Sequence, residues 1–177
     1  VGDLDGDGFD DLIVLQEADD GLTLAGDGLL SVGLGSSLTS TPIVSSALDF
    51  SLGTTVDSGP METLVVVSDA DGDGLDDVLV GGTEFLGGDG AAWLITGSDL
   101  VAAQANLNDA SWLFWGDGGE FGTAFQDAGD LDGDGLSEVL VSAPNGSGLV
   151  YVFSSASLAI DEVWVADDAD AVVMGGQ

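Results

Sequence analysis

The chain has 177 residues, 33 of them Asp or Glu, and no Lys, Arg, His or Cys, so its formal charge is −33. With no basic side chain it cannot displace counterions from nucleic-acid phosphates or hold an anionic membrane surface. Without His, Cys or Lys, the Ser-His, Cys-His and Schiff-base routes of catalysis and any His or Cys zinc site are closed as well.

Yet 45% of the residues are apolar and mean hydropathy is positive, so the chain has enough core-forming residues to fold. Its unbalanced charge calls for salt or bound cations. No stretch reaches the roughly 18 continuous apolar residues of a membrane helix. The chain opens inside an acidic motif, at Val1-Gly2-Asp3, and reads as a piece of something longer.

The first motif, Asp3-Leu4-Asp5-Gly6-Asp7-Gly8-Phe9-Asp10-Asp11, runs into a short apolar strand at residues 12–15. A second strand is expected at 22–25 or 29–32. Residues 36–59, rich in Ser, Thr and Gly, keep Ile43, Val44 and Phe50 and read as a long connection within the repeat. A strand at 63–68 leads to the second motif, Asp69-Ala70-Asp71-Gly72-Asp73-Gly74-Leu75-Asp76-Asp77, followed by strands at 78–80 and 91–96. A helical turn or two is expected over 99–106, with Asp99 near its start. Trp112-Leu113-Phe114-Trp115 is the most aromatic strand, with Trp112 and Phe114 on one face and Leu113 and Trp115 on the other. The third motif, Asp130-Leu131-Asp132-Gly133-Asp134-Gly135-Leu136-Ser137-Glu138, precedes strands at 139–141 and 148–153. Residues 163–165 are, like 112–115, a candidate fourth strand, and 171–176 read as a strand with no acidic loop after it.

The motifs begin at Asp3, Asp69 and Asp130, 66 and then 61 positions apart. This predicts an all-β protein with a single repeat domain over 1–177. Its units fall near 1–60, 61–120 and 121–177, each of four short antiparallel strands. Units of that size suit propeller-like blades, as part of a larger propeller or polymer.

Three carboxylates at alternate positions of a glycine-bearing loop suit a hard divalent cation. Calcium takes six to eight oxygens at about 2.3–2.6 Å, drawn from positions 1, 3, 5, 7 and 9 of such loops. Position 7 gives its backbone carbonyl and is free to be apolar, and glycine at position 6 allows the sharp turn. The predicted donors are Asp3, Asp5, Asp7, Asp11 and the Phe9 carbonyl in the first copy. In the second they are Asp69, Asp71, Asp73, Asp77 and the Leu75 carbonyl. In the third they are Asp130, Asp132, Asp134, Glu138 and the Leu136 carbonyl. Position 8 (Asp10, Asp76, Ser137) is expected to face solvent. About three calcium ions per chain follow, because four acids in nine residues repel one another without a cation between them. An EF-hand needs a bidentate Glu at position 12 and flanking helices. Here position 12 is Val14, Val80 or Val141, inside an apolar strand.

The third unit resembles an FG-GAP repeat, the blade unit of integrin alpha-subunit propellers and of many bacterial surface proteins. Phe121-Gly122 matches the FG element, Gly129 to Gly135 the calcium loop, and Ser142-Ala143-Pro144 the GAP element. The second unit has Gly81-Gly82-Thr83 in the GAP position, and the first has Leu15-Gln16-Glu17. The resemblance implies a structural calcium ion on one rim of a propeller that usually has seven blades.

The expected function is an extracellular, secreted or cell-surface calcium-binding repeat protein, structural or adhesive, and not an enzyme. The expected partners are other copies of itself through strand addition, or other surface proteins. Two alternatives differ in class. A carbohydrate- or protein-binding module would use exposed Trp faces. A carboxylate glycosidase or lyase would need a pair of acids outside the loops, such as Glu17, Asp19, Glu62, Glu84, Asp117, Glu120, Asp161 or Asp167. The first unit lacks a strand before its loop, and the tail at 171–176 is a spare one. The tail is therefore expected to fill that gap, within the chain or in a neighbouring copy.

Overall fold

The computed structural model describes residues 1–16, 29–38, 50–53, 61–102, 110–158 and 163–175. In chain order the strands are β1 (Leu12–Gln16), β2 (Leu29–Gly33), β3 (Phe50–Gly53), β4 (Thr63–Ser68), β5 (Asp76–Gly82), β6 (Ala91–Ile95), β7 (Trp112–Trp115), β8 (Phe125–Asp127), β9 (Val139–Ala143), β10 (Leu149–Phe153), β11 (Val163–Val165) and β12 (Ala171–Met174). Two short helices, α1 (Gly97–Val101) and α2 (Ser155–Leu158), follow β6 and β10.

The strands make three blade-like sheets, of order β1-β2-β3, β11-β7-β6-β5-β4 and β12-β10-β9-β8. All neighbours are antiparallel except β11, which lies parallel to β7. In the second and third sheets the acidic loop joins the first strand to the second, β4 to β5 and β8 to β9.

The unbroken apolar runs of β5 and β6 have a physical reason: the middle sheet is buried on both faces. Val78 and Val80 of β5, with Ala91, Trp93 and Ile95 of β6, pack toward Leu4, Ile13, Leu30 and Val32 of the first unit. Leu79, Ala92 and Leu94 point the other way, onto Val139, Val141, Tyr151 and Phe153 of the third sheet. In β7, Phe114 reaches this second core and Trp112 packs against it, whereas Leu113 packs against the first core. Trp115, on the Leu113 side, is 39% exposed. The Phe114 and Phe153 rings meet across the two sheets with centroids 4.9 Å apart.

Several strand expectations hold: β4 and β7 form over the residues expected, and the second strand of the first unit is β2. The alternative at 22–25 lies outside the described residues, as does most of the 36–59 connection, although β3 forms within it. The helix begins earlier than expected, at Gly97, because the Thr96 side chain caps it by accepting the Asp99 N–H; residues 103–109 lie outside the described residues.

Two strands sit elsewhere than expected. β11 is not the fourth strand of the third sheet; it crosses to β7, where Trp164 joins the second core beside Phe153. That leaves the β10 edge to the tail, and β12 pairs there from Leu149↔Met174 to Val152↔Ala171. The tail strand therefore completes its own third sheet and does not fill the first unit.

Candidate metal centres in the acidic loops

The three loops, residues 3–11, 69–77 and 130–138, share one hydrogen-bond plan. The position-1 carboxylate turns inward: Asp3 accepts from Gly6 and Gly8 N–H at 2.9 and 3.0 Å, Asp69 from Gly74 at 2.9 Å, and Asp130 from Gly133 and Gly135 at 2.6 and 3.1 Å. Position 3 accepts the N–H of position 5, and position 5 that of position 7, in every copy. Each is an Asp side chain bonding the backbone two residues on, the local turn that Asp favours. Positions 4 and 6 both take left-handed backbone, with φ from 75° to 98° over the six glycines. Position 4 therefore needs glycine as much as position 6 does.

Position 9 braces the loop. Asp11 Oδ2 accepts from Leu4 N–H at 2.8 Å and Oδ1 from Gly35 N–H at 2.8 Å. Asp77 does the same with Ala70 at 2.7 Å and Gly97 at 3.0 Å. Both residues are fully buried. Glu138, 2% exposed, repeats only half of the pattern: Oε2 takes Leu131 N–H at 2.5 Å, and Oε1 is buried without a hydrogen-bond partner.

Carboxylate oxygens converge within 4.8 Å of one another in three sets: Asp3, Asp5 and Asp11; Asp69, Asp71 and Asp73; and Asp130, Asp132 and Glu138. Asp7, Asp77 and Asp134 lie outside these sets. Asp7 and Asp134 stay on their loops as acceptors for Phe9 and Leu136 N–H, and Asp77 serves as the brace. Position 8 departs from expectation in two copies. Asp10 is exposed, but Asp76 is half-buried against the first loop, and Ser137 is buried. At Asp76 the neighbouring unit, invisible to a local motif, decides the environment, and at Ser137 it is Ser155 of the same unit. Leu75 and Leu136 at position 7 also reach the neighbouring loop. Their side chains lie over Gly6 and Gly72, where a Cβ would sit 2.9 and 3.3 Å from the Leu methyl carbon.

Burial and like-charged neighbours oppose ionisation here. Burial pushes the Asp77 carboxyl up to about 7 from 3.8, against the two N–H donors that favour its charged form. Burial also raises Asp71, with the charges of Asp73 and Asp69 adding to the rise. A carboxyl whose pKa is higher folded than unfolded binds more protons in the fold, so its contribution is present at low pH and lost as pH rises through the folded value. In EDTA the melting temperature should therefore rise as pH is lowered from about 7.5 to about 5, and Asp77→Asn should flatten that slope. Thermal melts across that range check it; a melting temperature that falls on acidification contradicts it.

Two similarities to known proteins bear on these loops. Residues 127–153, which hold the third loop and the strands on either side of it, match the FG-GAP repeat family. Over 101 residues the chain is 32% identical to Integrin alpha-PS2 of Drosophila melanogaster, covering 50% of this chain and 7% of that protein.

Proposed function

We infer that this FG-GAP repeat chain, whose blades resemble those of integrin alpha subunits, is an extracellular calcium-binding module with a structural and adhesive role at a cell surface or in a filament. The observation that carries the reading is Glu138 Oε1. A polar oxygen buried without a donor is costly, and a cation beside Asp130 and Asp132 would relieve that cost. The donor set is all oxygen, as a hard cation requires.

Asp3, Asp5, Asp7, Asp11 and the Phe9 carbonyl would hold the first ion. Asp69, Asp71, Asp73, Asp77 and the Leu75 carbonyl would hold the second, and Asp130, Asp132, Asp134, Glu138 and the Leu136 carbonyl the third. The bound ion supplies charge compensation and no reaction step. The chain's own residues close each loop, and Leu75 and Leu136 set the second and third loops against the loop before. Extracellular modules bind calcium at about 10⁻⁴–10⁻³ M, which suits exposed loops such as these. The similarity to an integrin alpha subunit supports the same location, with other surface proteins as partners. Among the described residues no helix is long and apolar enough to cross a membrane.

Glu138→Gln tests the reading with opposite signs. Without calcium the variant should be more stable by on the order of 1–3 kcal/mol, because an amide N–H in place of the unpartnered Oε1 can donate to the Asp130 or Asp132 carboxylate. With saturating calcium it should be less stable than the parent and bind one ion fewer by calorimetric titration. Equal calcium binding by variant and parent overturns the assignment.

A second reading, as a carbohydrate- or protein-binding module, is favoured by one observation. Trp115 presents its exposed ring beside Val165 of β11, itself 42% exposed.

A further inference from the structure

Loops 1 (residues 3–11) and 2 (residues 69–77) meet through a residue outside both predicted ligand sets. The Asp76 N–H donates to the Asp3 carbonyl at 3.1 Å, and Asp76 Oδ2 accepts the Asp3 N–H at 3.0 Å. Both backbone polar groups of Asp3 are thus held by one residue of the next loop.

The peptide unit that supplies the Asp76 N–H also carries the Leu75 carbonyl, the position-7 oxygen of loop 2. A peptide unit is planar and rigid. One plane therefore has its oxygen in the donor set of loop 2 and its N–H on the first ligand of loop 1. The Leu75 side chain covers Gly6 of loop 1, so the two loops are also packed together.

The junction between loop 2 and loop 3 (residues 130–138) is built differently. Leu136 covers Gly72 in the same way, but Ser137 is buried and its carbonyl accepts from Ser155 Oγ. Among the described residues no hydrogen bond joins Ser137 to Asp69, whose φ is +45°. The link there runs through Asp127, which accepts the Ser68 N–H at 3.2 Å and the Gly129 N–H at 2.8 Å, flanking the loops without entering them.

We propose that Asp76 is a positioning residue that couples the first and second metal loops, so that a cation in loop 2 prepares loop 1 while loop 3 fills separately. The proposal rests on the calcium reading above. A cation on the Leu75 carbonyl polarises the shared peptide and strengthens its N–H as a donor to Asp3. It also fixes Asp76, and with it the backbone from which the Asp3 carboxylate projects. By linkage, an ion in loop 1 must help loop 2 by the same factor. Direct repulsion between two cations has the opposite sign, so the direction of the coupling is diagnostic.

The test is a titration of the calcium-stripped full chain with calcium alone, following the amide resonances of Gly8, Gly74 and Gly135, one per loop. In the parent protein Gly8 and Gly74 should respond together. Asp71→Asn, which weakens loop 2 while keeping its turn, should raise the Gly8 midpoint about fivefold or more and leave Gly135 in place. Asp76→Ala should separate the Gly8 and Gly74 midpoints. Asp76→Asn, whose amide oxygen can still accept the Asp3 N–H, should restore their coincidence, which a role through the Asp76 charge would not do. A Gly8 midpoint indifferent to Asp71→Asn, or a Gly135 midpoint that moves equally, overturns the coupling and leaves calcium binding intact. If none of the three glycines responds in the parent protein, the calcium reading falls and the coupling with it.

Discussion

Removing calcium should lower the melting temperature by on the order of 20 °C at fixed ionic strength. A ligand present at 100 times its Kd stabilises the folded state by about 2.7 kcal/mol, so three filled sites give roughly 8 kcal/mol before any coupling between loops. A domain's whole stability is about 5–15 kcal/mol, and each kcal/mol moves the midpoint of a chain this size by about 2–4 °C. The effect is local: three ions change the formal charge only from −33 to −27. It acts where carboxylate oxygens lie within 4.8 Å of one another with no basic side chain to separate them. Calorimetry in excess calcium and in excess EDTA measures it, and coincident curves contradict it.

Phe114→Ala should cost about 3–5 kcal/mol. Phe114 is fully buried where the second and third sheets meet, in contact with Phe153 and within the cluster that includes Leu94, Val141 and Trp164. Its removal opens a cavity in a core fed by both sheets, which neither can close alone. Denaturant unfolding of calcium-loaded protein should show a lower midpoint, and Trp115→Ala, at a site 39% exposed, should lower it far less. Equal losses for the two variants would mean that the sheets do not share this core.

The acidic loops were legible because their chemistry is local. Asp at alternate positions with glycine between them dictates the turn series, and the same bonds recur in all three copies. The central strands were legible because a sheet buried on both faces shows as an unbroken apolar run. What a nine-residue motif does not contain is its neighbour. Whether position 8 points at solvent, as at Asp10, or clamps another loop, as at Asp76, depends on which unit lies beside it. The brace at position 9 is fixed by Gly35 and Gly97, which stand 24 and 20 residues away. The three residues of β11 suit any open sheet edge, and pairing with β7 is settled by where Trp164 finds its core. The tail gave the same kind of ambiguity: an apolar run announces a strand without naming its partner, and β10 takes it.

The central claim is that these loops are calcium sites, and calorimetric titration of the calcium-stripped chain tests it most directly. Three ions per chain should bind, with magnesium much weaker because its small octahedral shell gives up water reluctantly. No binding at millimolar calcium, or binding that magnesium reproduces equally, would contradict it.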